Sequence, residues 1–220
     1  MTGALAIFAK TPGLSPVKTR LAADIGVEKA EQFYRHSLKC LEELALDVMR
    51  QTQGDLIPYW AVGEENGLEH PLWQGLDRLW TGDGSLGERL DHVYATLLKK
   101  HTHVILIGTD SPQLSTGRIT EAHDILKQET GHVIGPAEDG GYYLYGGHAA
   151  LPRDLWLSVP YSVPETYATF VRKLSVYSDV HLLEQDFDVD TKNDLKKLKD
   201  SPMTTPKQCV LMKWLEGAMR

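Results

Sequence analysis

Apolar positions along the 220-residue chain repeat in two rhythms, and the switches between them mark out a succession of strands and helices. Ala4 to Ala9 is a short unbroken apolar run closed by the breaker-rich Lys10-Thr11-Pro12-Gly13-Leu14-Ser15-Pro16, which predicts a buried strand followed by a turn. From Val27 to Arg50 the residues Ala30, Phe33, Leu38, Leu41, Leu44 or Ala45, and Val48 recur at spacings of three to five, the stripe of a long core-facing helix. Leu56 to Val62 and Asp77 to Thr81 read as strands, and Leu86, Leu90, Val93 and Leu97 line one face of a helix from Leu86 to Lys99. His103 to Gly108, with Val-Ile-Leu-Ile at its heart, is the least ambiguous strand, of the kind that a parallel strand covered on both faces requires. Beyond it, Ile119 to Leu126 predicts a helix, and His132 to Pro136 and Tyr142 to Tyr145 predict two strands around the turn Glu138-Asp139-Gly140-Gly141. Thr166 to Leu174 reads as a helix, Val180 to Leu183 as a strand, and Thr191 to Lys199 as a helix.

Strands that alternate with helices in this way predict an α/β fold with a doubly wound, mostly parallel sheet. Ligands then sit outside the carboxyl ends of the strands, at a topological switch point. The expected layout is one domain over residues 1–200 and a C-terminal tail, 201–220, with one amphipathic helix from Val210 to Met219.

Composition narrows the function. A hydrophobic content of 42% is enough for a full-sized core. No apolar run approaches the ~20 residues of a membrane helix, and MTGALAIFAK lacks the basic start of a signal peptide, so a cytoplasmic protein is expected. Cys40 and Cys209 are read as buried or spectator thiols. The net charge of -7 argues against a nucleic acid polymer as partner, while a single nucleotide needs only a few local cations and a metal. The nine histidines show no zinc spacing, and no Gly-x-Ser-x-Gly elbow supports serine hydrolysis.

Four segments carry candidate chemistry. Lys10, Lys18 and Arg20 bracket the turn after the first strand, where cations and backbone amides suit a phosphate chain, although neither standard glycine-rich phosphate motif is present. Asp110, in Gly108-Thr109-Asp110-Ser111-Pro112, follows the strongest strand and can hold a hard cation; because Ser115 serves as cap of the next helix, Asp110 is left for that role. In Asp139-Gly140-Gly141 a hairpin turn and a pocket floor are both open readings. Asp186-Phe187-Asp188-Val189-Asp190-Thr191 sets alternate carboxylates on one side of an extended chain, suited either to a second metal ligand or to a cap at Asp190 or Thr191.

In order, AKTPGLSPVKTRLA, GSLGERL, ILIGTDSPQL, IGPAEDGGYYL and FDVDTKNDL resemble a bacterial glycosyltransferase-like family, associated with radical-SAM and selenium-domain genes, within the nucleotide-diphospho-sugar transferase superfamily. More distantly they are similar to 2-phospho-lactate and molybdenum-cofactor guanylyltransferases. The resemblance implies a GT-A-like three-layer fold and Mg²⁺ or Mn²⁺ held by Asp110 and Asp190. It also implies a nucleotide site of Lys10, Lys18, Arg20, Arg89, Thr109 and Asp110, and a sugar or acceptor segment of Asp139, Gly140 and Gly141. Asp110, Asp139 and Lys18 are the expected catalytic residues. Two positions depart from the usual pattern: Ser15, where glycine is usual, and Ser85, where aspartate is frequent.

A metal-dependent transferase is therefore expected, moving a glycosyl group from a nucleotide-diphospho-sugar to a small-molecule acceptor. Nucleotidyl transfer from a nucleoside triphosphate to an anionic acceptor, and nucleotide binding without turnover, are the alternatives.

Overall fold

The computed structural model describes residues 2–128 and 131–218. Seven strands, β1 (Gly3–Ala9), β2 (Leu56–Val62), β3 (Asp77–Trp80), β4 (Val104–Ile107), β5 (His132–Pro136), β6 (Tyr142–Gly147) and β7 (Val180–Leu182), form one sheet. Its order is β3-β2-β1-β4-β6-β5-β7, and only β6 runs antiparallel to its neighbours. The helices are α1 (Thr19–Ile25), α2 (Val27–Gln51), α3 (Leu86–Leu98), α4 (Thr116–Gln128), α5 (Arg153–Leu157), α6 (Thr166–Leu174), α7 (Lys192–Lys199) and α8 (Pro206–Ala218).

The alternation of side chains along the strands builds three layers. On β1, Leu5, Ile7 and Ala9 face α2 and α4, where Leu38, Leu41, Leu44, Ile119 and Ala122 cover them. Ala4 and Ala6 face the other way, toward Leu90, Val93, Trp156 and Phe170 of α3, α5 and α6. β4 divides in the same manner, with Ile105 and Ile107 on the first face and Val104 and Leu106 on the second. That two-sided burial is what the unbroken apolar run over β4 requires.

The periodic segments fall where the sequence places them, within a residue or two at most ends; α4 starts three residues earlier. Two short helices escape the periodicity. α1 buries a single residue, Leu21, and α5 spans five residues, too few turns for a stripe to show. The expected tail also differs. α8 begins at Pro206, four residues before the expected start, and its Leu211 and Leu215 are fully buried with Phe33 of α2 and Leu198 of α7. Met219, the expected end of that helix, lies outside the described residues. Among the described residues, no helix is long and apolar enough to cross a membrane.

The far end of the sheet carries buried imidazoles. His103 Nε2 lies 2.9 Å from His123 Nδ1, and His132 Nδ1 lies 3.0 Å from the Tyr145 hydroxyl. Burial lowers His103 to about 4, with neighbouring His123 adding to the effect, and burial likewise lowers His132 to about 4, helped by His148. The native state keeps both rings neutral, while the unfolded chain protonates them below pH ~6.5. Their contribution to stability is complete above that pH and is lost as pH falls toward 4, on the order of 3 kcal/mol for each ring. In urea denaturation the stability of wild type relative to His132→Asn is expected to be constant from pH 8 to 7 and to fall between pH 6.5 and 4. An equal fall in both proteins would remove His132 from the account.

Candidate active site

The chain passes from β1 outward to β2 and β3, then crosses back to place β4 on the other side of β1. The carboxyl ends of β1 and β4 thus diverge, as they do at ligand sites in open α/β sheets. A cleft of about 1080 Å³ opens there, lined among others by Lys10, Lys18, Gly63, Thr109, Asp110, Asp139 and Tyr142. α2 holds its rim from below. The Lys10 amide donates to the Tyr34 hydroxyl at 2.8 Å, and that hydroxyl donates to the Lys10 carbonyl at 3.0 Å. Ser37 donates its hydroxyl to the Thr109 carbonyl at 2.5 Å. Two polar positions on an otherwise apolar helix stripe therefore fix the loops that carry Lys10 and Asp110.

Lys18 is the centre of the charged array. It stands at the head of α1 with φ 48° and ψ 46°, a left-handed conformation that costs a non-glycine residue about 1 kcal/mol or more. Its side chain is only 2% exposed, and the ammonium meets Asp110 Oδ1 at 2.5 Å, Asp190 Oδ1 at 3.1 Å and the Val189 carbonyl at 2.7 Å. Burial opposes the charged amine, but the Asp110 and Asp190 carboxylates outweigh it and hold the Lys18 pKa above its ordinary value. With three acceptors on three donors, Lys18 is turned to the carboxylates rather than to the open cleft. Arg20 reaches Asp190 from the solvent side at 2.9 Å.

The carboxylates arrive from two distant parts of the chain. Asp110 follows β4, and its carbonyl accepts the Val189 amide at 2.9 Å, which lays the segment before α7 alongside it. The alternation expected of Asp186, Asp188 and Asp190 is only half realised. Asp186 accepts the Gln113 side chain at 2.8 Å, away from the array, while Asp188 and Asp190 both reach the cleft. Thr191 caps α7 in a box with Asp194, which leaves Asp190 free for its two cations.

Asp188 is the residue that sequence reasoning passed over. Burial, then the charge of Asp110, pushes its carboxyl up to about 7, although the Ser111 hydroxyl donates to it at 2.6 Å. The signal was present in the Asp-x-Asp-x-Asp spacing, but nothing local marks which carboxylate is the buried one.

Other expected residues take varied places. Lys10 lies exposed at the rim, and Thr109 is buried beside it. Arg89 spends its guanidinium on protein acceptors: the Gly63 carbonyl at 2.7 Å, the Thr81 hydroxyl at 2.8 Å and the Gly84 carbonyl at 3.1 Å. It ties the ends of β2 and β3 to α3. Asp139 accepts the Gly141 amide at 2.9 Å in a local turn that directs the loop before β6. Ser15 is not among the residues in the left-handed region, so its backbone makes no demand for glycine. Ser85 caps α3 through a reciprocal pair with Glu88, a task serine and aspartate share.

Gly140 has φ 89°, and a Cβ there would overlap the Pro164 carbonyl. Gly140→Ala is expected to lower stability by about 2–3 kcal/mol from the left-handed backbone and the clash together. A urea titration giving a loss under 0.5 kcal/mol, on the ordinary scale of surface changes, would contradict this packing.

Among the described residues, no three carboxylate, imidazole or thiol groups form a preassembled metal cage. The donor chemistry nevertheless suits a hard cation. Asp110 and Asp190 offer oxygen, Asp110 is 44% exposed toward the cleft, and Asp188 is a buried acid whose hydrogen-bond donor is the Ser111 hydroxyl.

The sheet order, the three layers and a strand-end aspartate over a cleft define a nucleotide-diphospho-sugar transferase fold. The chain belongs to the family DUF2064, described as an uncharacterized protein conserved in bacteria, whose model matches residues 46–163. A protein of Desulfovibrio desulfuricans G20, provisionally described as a nucleotide-diphospho-sugar transferase, superposes on 100% of this chain and 98% of its own with a TM-score of 0.82 and 25% identity. The 4-diphosphocytidyl-2C-methyl-D-erythritol synthase of Anaerococcus prevotii DSM 20548 covers 98% of each chain, with a TM-score of 0.57 and 11% identity. Rv0371c of Mycobacterium tuberculosis H37Rv, in complex with manganese, covers 92% of this chain and 100% of its own, with a TM-score of 0.54 and 18% identity. No curated protein matches the sequence.

Proposed function

We propose that this protein is a cytoplasmic, metal-assisted transferase that takes a nucleotide-diphospho-sugar and moves its glycosyl group to a small-molecule acceptor. The observation that carries this reading is the half-exposed Asp110 carboxylate, at the switch point of a cleft of about 1080 Å³ and backed by Lys18, Asp188 and Asp190. That volume suits a nucleotide donor with an acceptor beside it.

Asp110 and Asp190 would hold Mg²⁺ or Mn²⁺, with Asp188 within reach of the same charge. When bound, the ion neutralises the diphosphate as the leaving group. Lys10 and Arg20, at the cleft mouth, supply further positive charge to the phosphates. As Asp139 Oδ1 holds the Gly141 amide, Asp139 Oδ2 is the atom that takes the acceptor hydroxyl proton while the sugar–phosphate bond breaks. Nucleotidyl transfer is the second reading. It is favoured by Arg20, whose side chain is 69% exposed and able to meet a departing pyrophosphate.

A thermal-shift panel of nucleoside triphosphates and nucleotide sugars, each with and without Mg²⁺ or Mn²⁺, tests the proposal. A ligand at a hundred times its Kd stabilises by about 2.7 kcal/mol. A metal-dependent shift with a nucleotide sugar, followed by release of nucleoside diphosphate, supports glycosyl transfer. Pyrophosphate release from a triphosphate supports the second reading, binding without product supports a non-catalytic protein, and silence across the panel sinks all three.

A further inference from the structure

The two halves of the cleft differ in charge and polarity. Its cations cluster around the ends of β1 to β3 and the head of α1: Lys10 follows β1, Lys18 and Arg20 open α1, and Arg89 sends its guanidinium to Gly63 and Thr81 beyond β2 and β3. The opposite wall, at the β6 end, is built from Leu86 and Leu90 of α3, Tyr142 of β6, and Tyr161 and Val163 before α6. Leu86 and Val163 are 44% and 38% exposed, large apolar side chains at the rim of the cleft.

This wall is built to keep its shape. Tyr142 stacks on Phe170, with ring centroids 5.2 Å apart. Gly87 lets Tyr161 close against α3: a Cβ there would stand 2.7 Å from the Trp156 carbonyl and 3.0 Å from the Tyr161 ring. The Thr166 hydroxyl ties the turn before α6 back at 2.6 Å to the Pro160 carbonyl, and Tyr167 donates its amide to the Gly140 carbonyl at 2.8 Å. The charged group that lines this half is Asp139. Behind Tyr161 lies Asp91, already facing Arg153 at 3.7 Å.

We infer that the acceptor is an uncharged or cationic molecule that presents an apolar ring or chain beside its reacting hydroxyl. The inference rests on the transferase reading above and names its acceptor class. An anionic acceptor would bring a second negative charge next to Asp139 and Asp110, and the cleft-lining cation that shares α3 with this wall, Arg89, already donates to the Gly63, Thr81 and Gly84 oxygens. An apolar ring instead covers Leu86, Val163 and the tyrosine faces, and stacking on such rings is favourable beyond area alone. The hydroxyl then meets Asp139.

The test titrates the 220-residue protein with three probes, followed by ligand-observed NMR. Phenyl β-D-glucoside is uncharged with a ring, phenyl phosphate is anionic with the same ring, and 3-phosphoglycerate is anionic without one. The glucoside is expected to bind at least tenfold more tightly than either anion, and Tyr161→Ala to weaken it at least fivefold. Because Tyr161 packs on α3, the rim variant Leu86→Ser serves as a second probe, expected to weaken the glucoside twofold to fivefold with an unchanged fold. Tighter binding of either anion, or glucoside binding indifferent to both variants, overturns the inference. The nucleotide panel run on the same samples separates the two ideas. Glucoside binding that follows this pattern without any nucleotide shift would retain the apolar subsite and reject the donor assignment.

Discussion

Lys18→Met is expected to lower stability by about 2–3 kcal/mol and to reduce transfer at least 100-fold. Removing one partner of a fully buried ion pair costs about 3–5 kcal/mol, because the other charge is left buried and unpaired. Here Asp110 is 44% exposed, so water takes up part of the loss and the lower figure applies. The variant leaves Asp110, Asp190 and the buried Asp188 with no internal cation but Arg20, which is held on the solvent side. Since the native state holds the Lys18 pKa above its ordinary value, the ammonium contributes fully below pH ~10.5, and the contribution fades only as pH rises through the native pKa. The gap between wild type and variant should therefore still be present at pH 9 in urea titrations. Backbone strain provides a second check: Lys18→Gly should be about 1 kcal/mol more stable than Lys18→Ala, because glycine adopts φ 48° without a Cβ. Equal stability of wild type and Lys18→Met would show that the array needs no internal cation.

Asp110→Asn is expected to cost 100-fold to 1,000-fold in transfer and to abolish the metal-dependent part of nucleotide binding. The substitution keeps size and removes charge, so folding should survive; the Val189 amide still finds the Asp110 backbone carbonyl. What is lost is an anionic oxygen in the cleft for a hard cation, and with it about 3–4 kcal/mol of charge stabilisation in the transition state, by the ordinary scale of such effects. The measurement is a pair of Mn²⁺ titrations with nucleotide present, wild type against variant, beside a circular dichroism melt. An unchanged metal dependence in Asp110→Asn would remove this residue from the metal site.

The strands and long helices were legible because each obeys a local rule. β4 is apolar without interruption since both faces are covered, and α2 shows a stripe since one side is. Asp110 was legible for a related reason, as a carboxylate directly after the most buried strand. α1 was not, since seven residues with one buried leucine carry no period, and its head is a left-handed lysine rather than a recognisable cap. Nor was the docking of α8, because its apolar face has meaning only against Phe33 and Leu198.

The partners of the site divide in the same way. By itself, the sequence determined the alternating α/β order, the strand-end position of Asp110 and the presence of basic and acidic residues in the loops around it, all properties of residues near one another along the chain. Which charges meet was decided only by tertiary structure. The Val189–Asp110 backbone bond brings a segment from the far end of the chain beside β4, and that contact buries Asp188, turns Asp186 away and sets Lys18 between Asp110 and Asp190. The physical reason is distance: electrostatic and burial energies depend on separations in space, and residues 18, 110 and 188 are neighbours only after the sheet has formed.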